Sequence, residues 1–162
     1  TIQKAIETFP GISRRFEIHR EFELNNKKFI WIDDYGHHPT EIKEVLETIN
    51  NVWKEQRVVM VFQPHRYSRT AEYFNQFVDT LKNVQDLILM DIYAANENKI
   101  ENISSSALAE EIRKYRVNVV LINNHEKLKN FINQIINNND ILLTMGAGDI
   151  SKFNNYFKES IK

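Results

Sequence analysis

Two short stretches hold most of the chain's reactive side chains. "DDYGHHPT" (33–40) places two carboxylates, a phenol and two adjacent imidazoles in six positions, closed by a proline. "QPHRYSRT" (63–70) places His65 ahead of two arginines, Arg66 and Arg69, with hydroxyls between them. That spacing at the entry to a helix lets both guanidinium groups converge on one side. Fork geometry and exposed backbone N–H groups then suit a carboxylate or a phosphate. A solvated pair, or ion pairs to Asp33, Asp34 or Glu72, is the plain alternative. Tyr35 and His37 can line a pocket for a small polar substrate. The plain alternative makes one of His37 and His38 the cap of the next helix and leaves the other to solvent. Adjacent histidines point apart, and no thiolate stands near, so no metal site is expected in this chain.

A third stretch, "MGAGDI" (145–150), has part of a phosphate-cradling glycine turn, Gly146 and Gly148, but lacks a third glycine. Asp149 as a helix N-cap accounts for it nearly as well. Arg14 and Arg15 open a strand-like segment and read adequately as surface charge. The apolar set Tyr73, Phe74, Phe77, Val78 and Leu81 has the spacing of a buried helix face.

The elements that position these turns alternate. "SRRFEIHREFEL" (13–24) and "KKFIWIDDY" (27–35) read as strands joined at Asn25-Asn26, a hairpin signal. A helix follows Pro39 to about residue 56. Strand patterns then cover 57–62, 86–92, 117–122 and 140–145, and helix patterns cover 69–82, 104–115, 125–138 and 149–160. The strands are short continuous apolar runs, as expected when both faces are buried. The predicted fold is α/β: a doubly wound, mostly parallel six-stranded sheet, Rossmann-like, with helices on both faces and one antiparallel edge strand. Ligands of such sheets bind beyond the carboxyl ends of the strands. The two reactive turns should therefore face each other across one site.

Bulk properties narrow the classes. The chain has 162 residues, 42% of them hydrophobic, enough for one ordinary core. A formal net charge of −1 recommends neither nucleic acid nor an acidic membrane as partner. With no cysteine there is no disulfide framework, and no apolar run approaches the roughly 20 residues of a membrane span. Residues 1–9 carry helical spacing stopped by Pro10-Gly11, like the tail of a longer protein's helix.

Taken in order, "DDYGHHPTEI", "FQPHRYSRT", "DIYAANE" and "GAGDI" resemble the C-terminal domain of the Mur ligases. "FPGISRRFEI" is similar to the junction with their central ATPase domain. The resemblance spans essentially the whole chain, with residues 1–12 as the end of the central-domain helix and linker and 13–162 as the C-terminal domain. "HRYSRT" favours the branch that adds L-alanine over the sibling that recycles a murein tripeptide. Two positions depart from the family pattern. Ser68 replaces threonine, and Asn96 replaces a glycine whose left-handed backbone asparagine can share.

The resemblance implies an ATP-dependent ligase joining L-alanine to UDP-N-acetylmuramate, with ADP and phosphate as products, in bacterial peptidoglycan synthesis in the cytoplasm. It implies that Arg66 and Arg69 hold the alanine carboxylate while Tyr35, His37 and His65 shape the pocket. Asp33 or Asp34 would reach the ATP ribose and Arg15 the phosphates, with His38, Tyr93, Gly146, Gly148 and Asp149 in support. ATP and Mg2+ would be held mainly by the central domain in cis, because no G-x-x-x-x-G-K-[ST] stretch occurs here. The fragment alone would not catalyse. Two other classes stay open: a stand-alone dinucleotide-binding or flavodoxin-like module, and a non-catalytic interaction domain.

Overall fold

A computed structural model of the protein describes residues 13–159. The expected helix tail over 1–9 and the expected domain boundary at residue 12 lie outside the described residues. Asn25 and Asn26 both take the left-handed backbone (φ 50° and 62°), as a tight two-residue hairpin turn requires. They join β1 (Glu17–Leu24) to β2 (Lys27–Asp34), an antiparallel pair. β1 begins at Glu17 instead of residue 13 because Arg14 and Phe16 have φ of 57° and 49°. The Phe16 N–H donates to the Asp34 carboxylate at 2.8 Å, which holds 13–16 as a turn against the end of β2.

Helix and strand then alternate: α1 (Pro39–Val52), β3 (Val58–Phe62), α2 (Tyr67–Glu72), α3 (Phe74–Leu81), β4 (Asp86–Leu89), α4 (Ser105–Arg113), β5 (Asn118–Leu121), α5 (His125–Ile135), β6 (Ile141–Met145) and α6 (Ile150–Glu159). The single helix expected over 69–82 is two, divided at Tyr73 (φ −108°, ψ 19°). The break turns the Tyr73 ring against His38, 4.5 Å between centroids. The six strands lie in the order β1-β2-β6-β3-β4-β5, and every neighbouring pair except β1 with β2 is parallel.

Period-two alternation sends Val58, Met60 and Phe62 to one face and Val59 and Val61 to the other. On the first face they meet Ile42 and Ile49 of α1, Phe77 and Leu81 of α3, and Leu108 and Ile112 of α4. On the second they meet Leu128 and Ile132 of α5 with Phe153 and Phe157 of α6. Each such side chain, fully buried, contributes about 1.5–3 kcal/mol. The two layers hold β2, β6, β3, β4 and β5 parallel, so the segments leaving them emerge along one edge. α1, α3 and α4 lie on the face opposite α5 and α6. The segments leaving β3 and β6, which are neighbours, therefore turn to opposite sides of the sheet, a topological switch point.

Candidate functional site

Along that edge the exits of β2, β3 and β4 bring four rings into one row. The Tyr35 ring meets His37 edge-on at 5.5 Å, His37 lies 5.4 Å from His65, and His65 stacks on Tyr93 at 5.5 Å. Tyr35 and Tyr93 are exposed at the row's two ends. The two reactive turns do face each other, across the exit of β6.

Hydrogen bonding assigns the protons. Arg69 Nη1 lies 3.2 Å from His65 Nδ1. A guanidinium only donates, so Nδ1 carries the lone pair and His65 is neutral with its proton on Nε2. Burial comes first, then the positive charge of His37 in its protonated form and of Arg69 and Arg66; together they hold the His65 pKa below its ordinary 6.5. His37 has the opposite arrangement. Its Nδ1 lies 3.1 Å from the Tyr35 carbonyl, an acceptor, so Nδ1 donates, and in the neutral form of the ring the lone pair is on Nε2. Adjacent rings thus offer one donor and one acceptor.

Arg66 heads α2 with φ 72° and ψ 137°, a region an arginine occupies only at a cost of about 1–3 kcal/mol. Three bonds hold it there. Its N–H donates to the Tyr93 carbonyl at 2.8 Å, and its carbonyl accepts from Thr70 N at 3.1 Å and Thr70 Oγ1 at 2.8 Å. Next to it, Ser68 donates through N (3.0 Å) and Oγ (2.7 Å) to the two oxygens of Glu97. These bonds, the backbone N–H first, lower the Glu97 pKa. Ala95 and Asn96 precede Glu97 with φ of 49° and 69°, so asparagine does serve where glycine is usual. Glu97, which sequence reasoning left without a role, is the strap over the arginine turn.

The other singled-out residues divide. His38 caps α1: its side chain accepts from Thr40 N at 3.3 Å, and Glu41 returns to His38 N at 3.0 Å. The plain capping alternative therefore holds for His38, while His37 packs into the row. Asp33 is 1% exposed and takes Arg14 Nε at 3.2 Å; Asp34 takes Gly36 N at 2.6 Å and Phe16 N at 2.8 Å. Both acids face inward and brace the turns around them. Arg15 is exposed, 4.0 Å from Glu41, with its guanidinium carbon 5.2 Å from the Tyr35 ring centre.

Gly146 (φ 147°) and Gly148 are glycines because neighbours crowd them. A Cβ would lie 2.8 Å from the Gln63 carbonyl oxygen at the first and 2.6 Å from Tyr93 Cβ at the second. That close packing accounts for the glycine turn and removes the main support for a dinucleotide cradle. Asp149 accepts from the Gln63 amide, whose oxygen accepts Ile150 N at 2.8 Å, so the cap on α6 comes from the exit of β3. A cavity of about 220 Å³ lined by Gln63, Asp91, Tyr93, Asn123, His125 and Asp149, among others, shares Tyr93 with the row, and no arginine lines it. The arginines and imidazoles locate the chemistry better than that hollow does.

Comparison with known proteins agrees with this geometry. The family described as "Mur ligase, glutamate ligase domain" matches residues 14–148. The chain is 47% identical over 92% of its length to the UDP-N-acetylmuramate–L-alanine ligase of Vesicomyosocius okutanii, and 42% over 98% to that of Wigglesworthia glossinidia brevipalpis. It spans about a third of each, 32% and 34%. Among solved structures it resembles the UDP-N-acetylmuramate–alanine ligase of Thermotoga maritima, with a TM-score of 0.73 and 25% identity over 97% of this chain and 32% of that one. A murein peptide ligase of Psychrobacter arcticus shares the fold at a TM-score of 0.71 and 14% identity, over 98% of this chain and 32% of that one. Fold, ordered motifs and the match over residues 14–148 together establish that this chain belongs to the Mur ligase family, as its glutamate ligase domain.

Proposed function

We propose that this chain is the amino-acid-binding, C-terminal domain of a ligase that joins L-alanine to UDP-N-acetylmuramate, with ATP hydrolysed to ADP and phosphate. One observation carries this function: the Tyr35–His37–His65–Tyr93 row with Arg66 and Arg69 beside it, in a chain 47% identical to an alanine-adding ligase. Arg69 gives one N–H to His65 and keeps others for the alanine carboxylate, and exposed Arg66 adds a second cation. Tyr35, His37 and His65 wall the space around the methyl group. His37 Nε2, with its lone pair, accepts a proton from the ammonium group and frees the amine to attack. Closure by the rest of the ligase excludes water from the activated carboxylate.

ATP, when bound, supplies the phosphoryl group that activates the muramyl carboxylate as an acyl phosphate. On this chain Arg15 fits a phosphate contact, since its side chain is 52% exposed and only loosely paired with Glu41. Asp33 and Asp34 do not fit a ribose contact, because Arg14 and the backbone N–H groups of Phe16 and Gly36 already occupy them. We therefore assign the nucleotide contact of this domain to Arg15. No three His, Cys, Asp or Glu side chains gather to hold a metal among the described residues. The family resemblance gives Mg2+ and most of ATP to the central domain, in cis. The reaction belongs to peptidoglycan precursor synthesis in the bacterial cytoplasm. Among the described residues no helix is long and apolar enough to cross a membrane.

The test is phosphate release by the full-length protein with ATP, Mg2+ and UDP-N-acetylmuramate. Release should depend on L-alanine. Release that instead requires L-alanyl-γ-D-glutamyl-meso-diaminopimelate would assign the chain to the tripeptide-recycling sibling, and no release with either would end the proposal.

A further inference from the structure

We infer that Arg14 is a positioning residue for the amino-acid site, holding the Tyr35 ring in register with the Gly146 turn; the inference rests on the function proposed above. Arg14 makes contact in several directions at once. Its N–H donates to the Glu17 carboxylate at 2.8 Å, and its carbonyl accepts the Tyr35 N–H at 2.7 Å. Its Nε donates to Asp33 at 3.2 Å and its Nη2 to the Gly146 carbonyl at 2.6 Å. The guanidinium carbon lies 5.4 Å from the centre of the Tyr35 ring, within cation–π range. A single residue thus touches the end of β2, the first ring of the row and the turn after β6.

The links continue from there. Gly146 N donates to the Asp34 carbonyl at 3.1 Å, and Gln63 N donates to the Met145 carbonyl at 3.0 Å. The exits of β2, β6 and β3 are therefore knit together, and His65 stands two residues beyond Gln63. Arg14 anchors the β2 end of this chain of contacts. Its own backbone is strained, with φ 57°, so the turn is held by these partners and not by local preference.

Electrostatics argues that the pair with Asp33 sets geometry more than it adds stability. Burial raises the Asp33 pKa by more than the Arg14 charge and hydrogen bond lower it. A buried ion pair with that balance is a weak stabiliser. Lysine could not replace the arrangement, because a compact ammonium cannot reach a carboxylate, a carbonyl and a ring at once. Arg15 shows the contrast: it is 52% exposed, against 17% for Arg14, and its ion pair is longer at 4.0 Å. One arginine of the pair faces inward to position and the other faces outward.

The experiment is steady-state kinetics on the full-length ligase carrying Arg14→Lys or Arg14→Gln. A sub-ångström shift of Tyr35 should raise the alanine KM about tenfold, with kcat and the ATP KM within about threefold of wild type. In a Tyr35→Leu background most of the Arg14→Lys effect should disappear, because the two residues act through one contact. Should Arg14→Gln fail to fold, Arg14→Lys keeps the charge and still reports. A lowered melting temperature with unchanged alanine KM would overturn the inference, as would a full Arg14→Lys effect in the Tyr35→Leu background. Arg69→Ala, run alongside, separates the two levels. If it raises the alanine KM and Arg14→Lys does not, only the role of Arg14 falls; if neither does, the reading of the site falls too.

Discussion

Removing the Arg69 side chain tests the site most directly. Arg69 is half-buried on α2, with Nη1 3.2 Å from His65 Nδ1, so its fork is already oriented before any ligand arrives. A charge-assisted hydrogen bond contributes roughly 1.5–3 kcal/mol, which corresponds to about one to two decades in the alanine KM. Carboxylate binding is the same in ground and transition states, so kcat should change little. Arg69→Lys restores the charge but not the fork and should recover only part of the loss. Arg66→Ala should cost less than Arg69→Ala, because Arg66 is exposed and its charge is screened. Arg69 is also one of the cations that lower the His65 pKa, so Arg69→Ala should move that pKa up, a change that imidazole NMR follows independently of turnover. An alanine KM within twofold of wild type in both arginine variants would refute the carboxylate assignment. A raised KM with an unmoved His65 pKa would refute the coupling of Arg69 to His65 read from the 3.2 Å contact.

Two further predictions use the same geometry. Glu97→Ala leaves both Ser68 donors without their acceptor and loosens the strained Arg66 turn; the alanine KM should rise about three- to tenfold, and Glu97→Gln, which keeps one oxygen acceptor, should fall between it and wild type. The His65 pKa in the fold lies below 6.5, so the folded chain binds fewer protons than the unfolded one as the pH falls under that value. Its contribution to stability is then fully present above 6.5 and is lost as the pH falls through the folded pKa. Urea denaturation at about pH 7.5 and 5.5 should show wild type losing more stability than His65→Asn, and an equal loss in both would contradict the neutral assignment.

The sheet was legible because parallel strands buried on both faces must be apolar throughout, as "VVMVF" and "ILLTM" are. Asn25-Asn26 announced the hairpin, since asparagine tolerates the left-handed backbone that its turn demands. Residues 13–16 misread as strand because what bends them is distant in sequence: the Asp34 carboxylate taking Phe16 N, and Tyr35 N bonding to the Arg14 carbonyl. No local pattern carries that. The meeting of the two reactive turns followed from the rule that ligands gather at the carboxyl edge of an open sheet. The direction of Asp33 and Asp34 did not, because an acid at a strand end reads the same whether it faces a ligand or a buried arginine. Gln63 was missed for a similar reason: a glutamine after a strand gives no sign that it will cap a helix 87 residues away.

The inward turn of those acids removes two anions from the electrostatics of the cleft. Over the whole chain, cations and anions nearly cancel, leaving −1. Locally they do not cancel, because Asp33 and Asp34 are buried against their own partners while Arg15 and Arg66 are exposed and Arg69 is half-buried beside the ring row. Glu97 offsets part of this, with its oxygens bound to Ser68. Glu41, 40% exposed, offsets more, since it lies 4.0 Å from Arg15 and 3.8 Å from His37 Nδ1. What remains beside the rings is the pair of guanidinium groups of Arg66 and Arg69, with the His65 pKa held down by burial and by its cationic neighbours. These guanidinium groups attract carboxylates and phosphates, and in the proposed site the neutral form of His37 offers an acceptor nitrogen to an ammonium group. A free amino acid carries both charges, and in the proposed site the Arg69 guanidinium beside His65 answers one while the next ring, His37, answers the other.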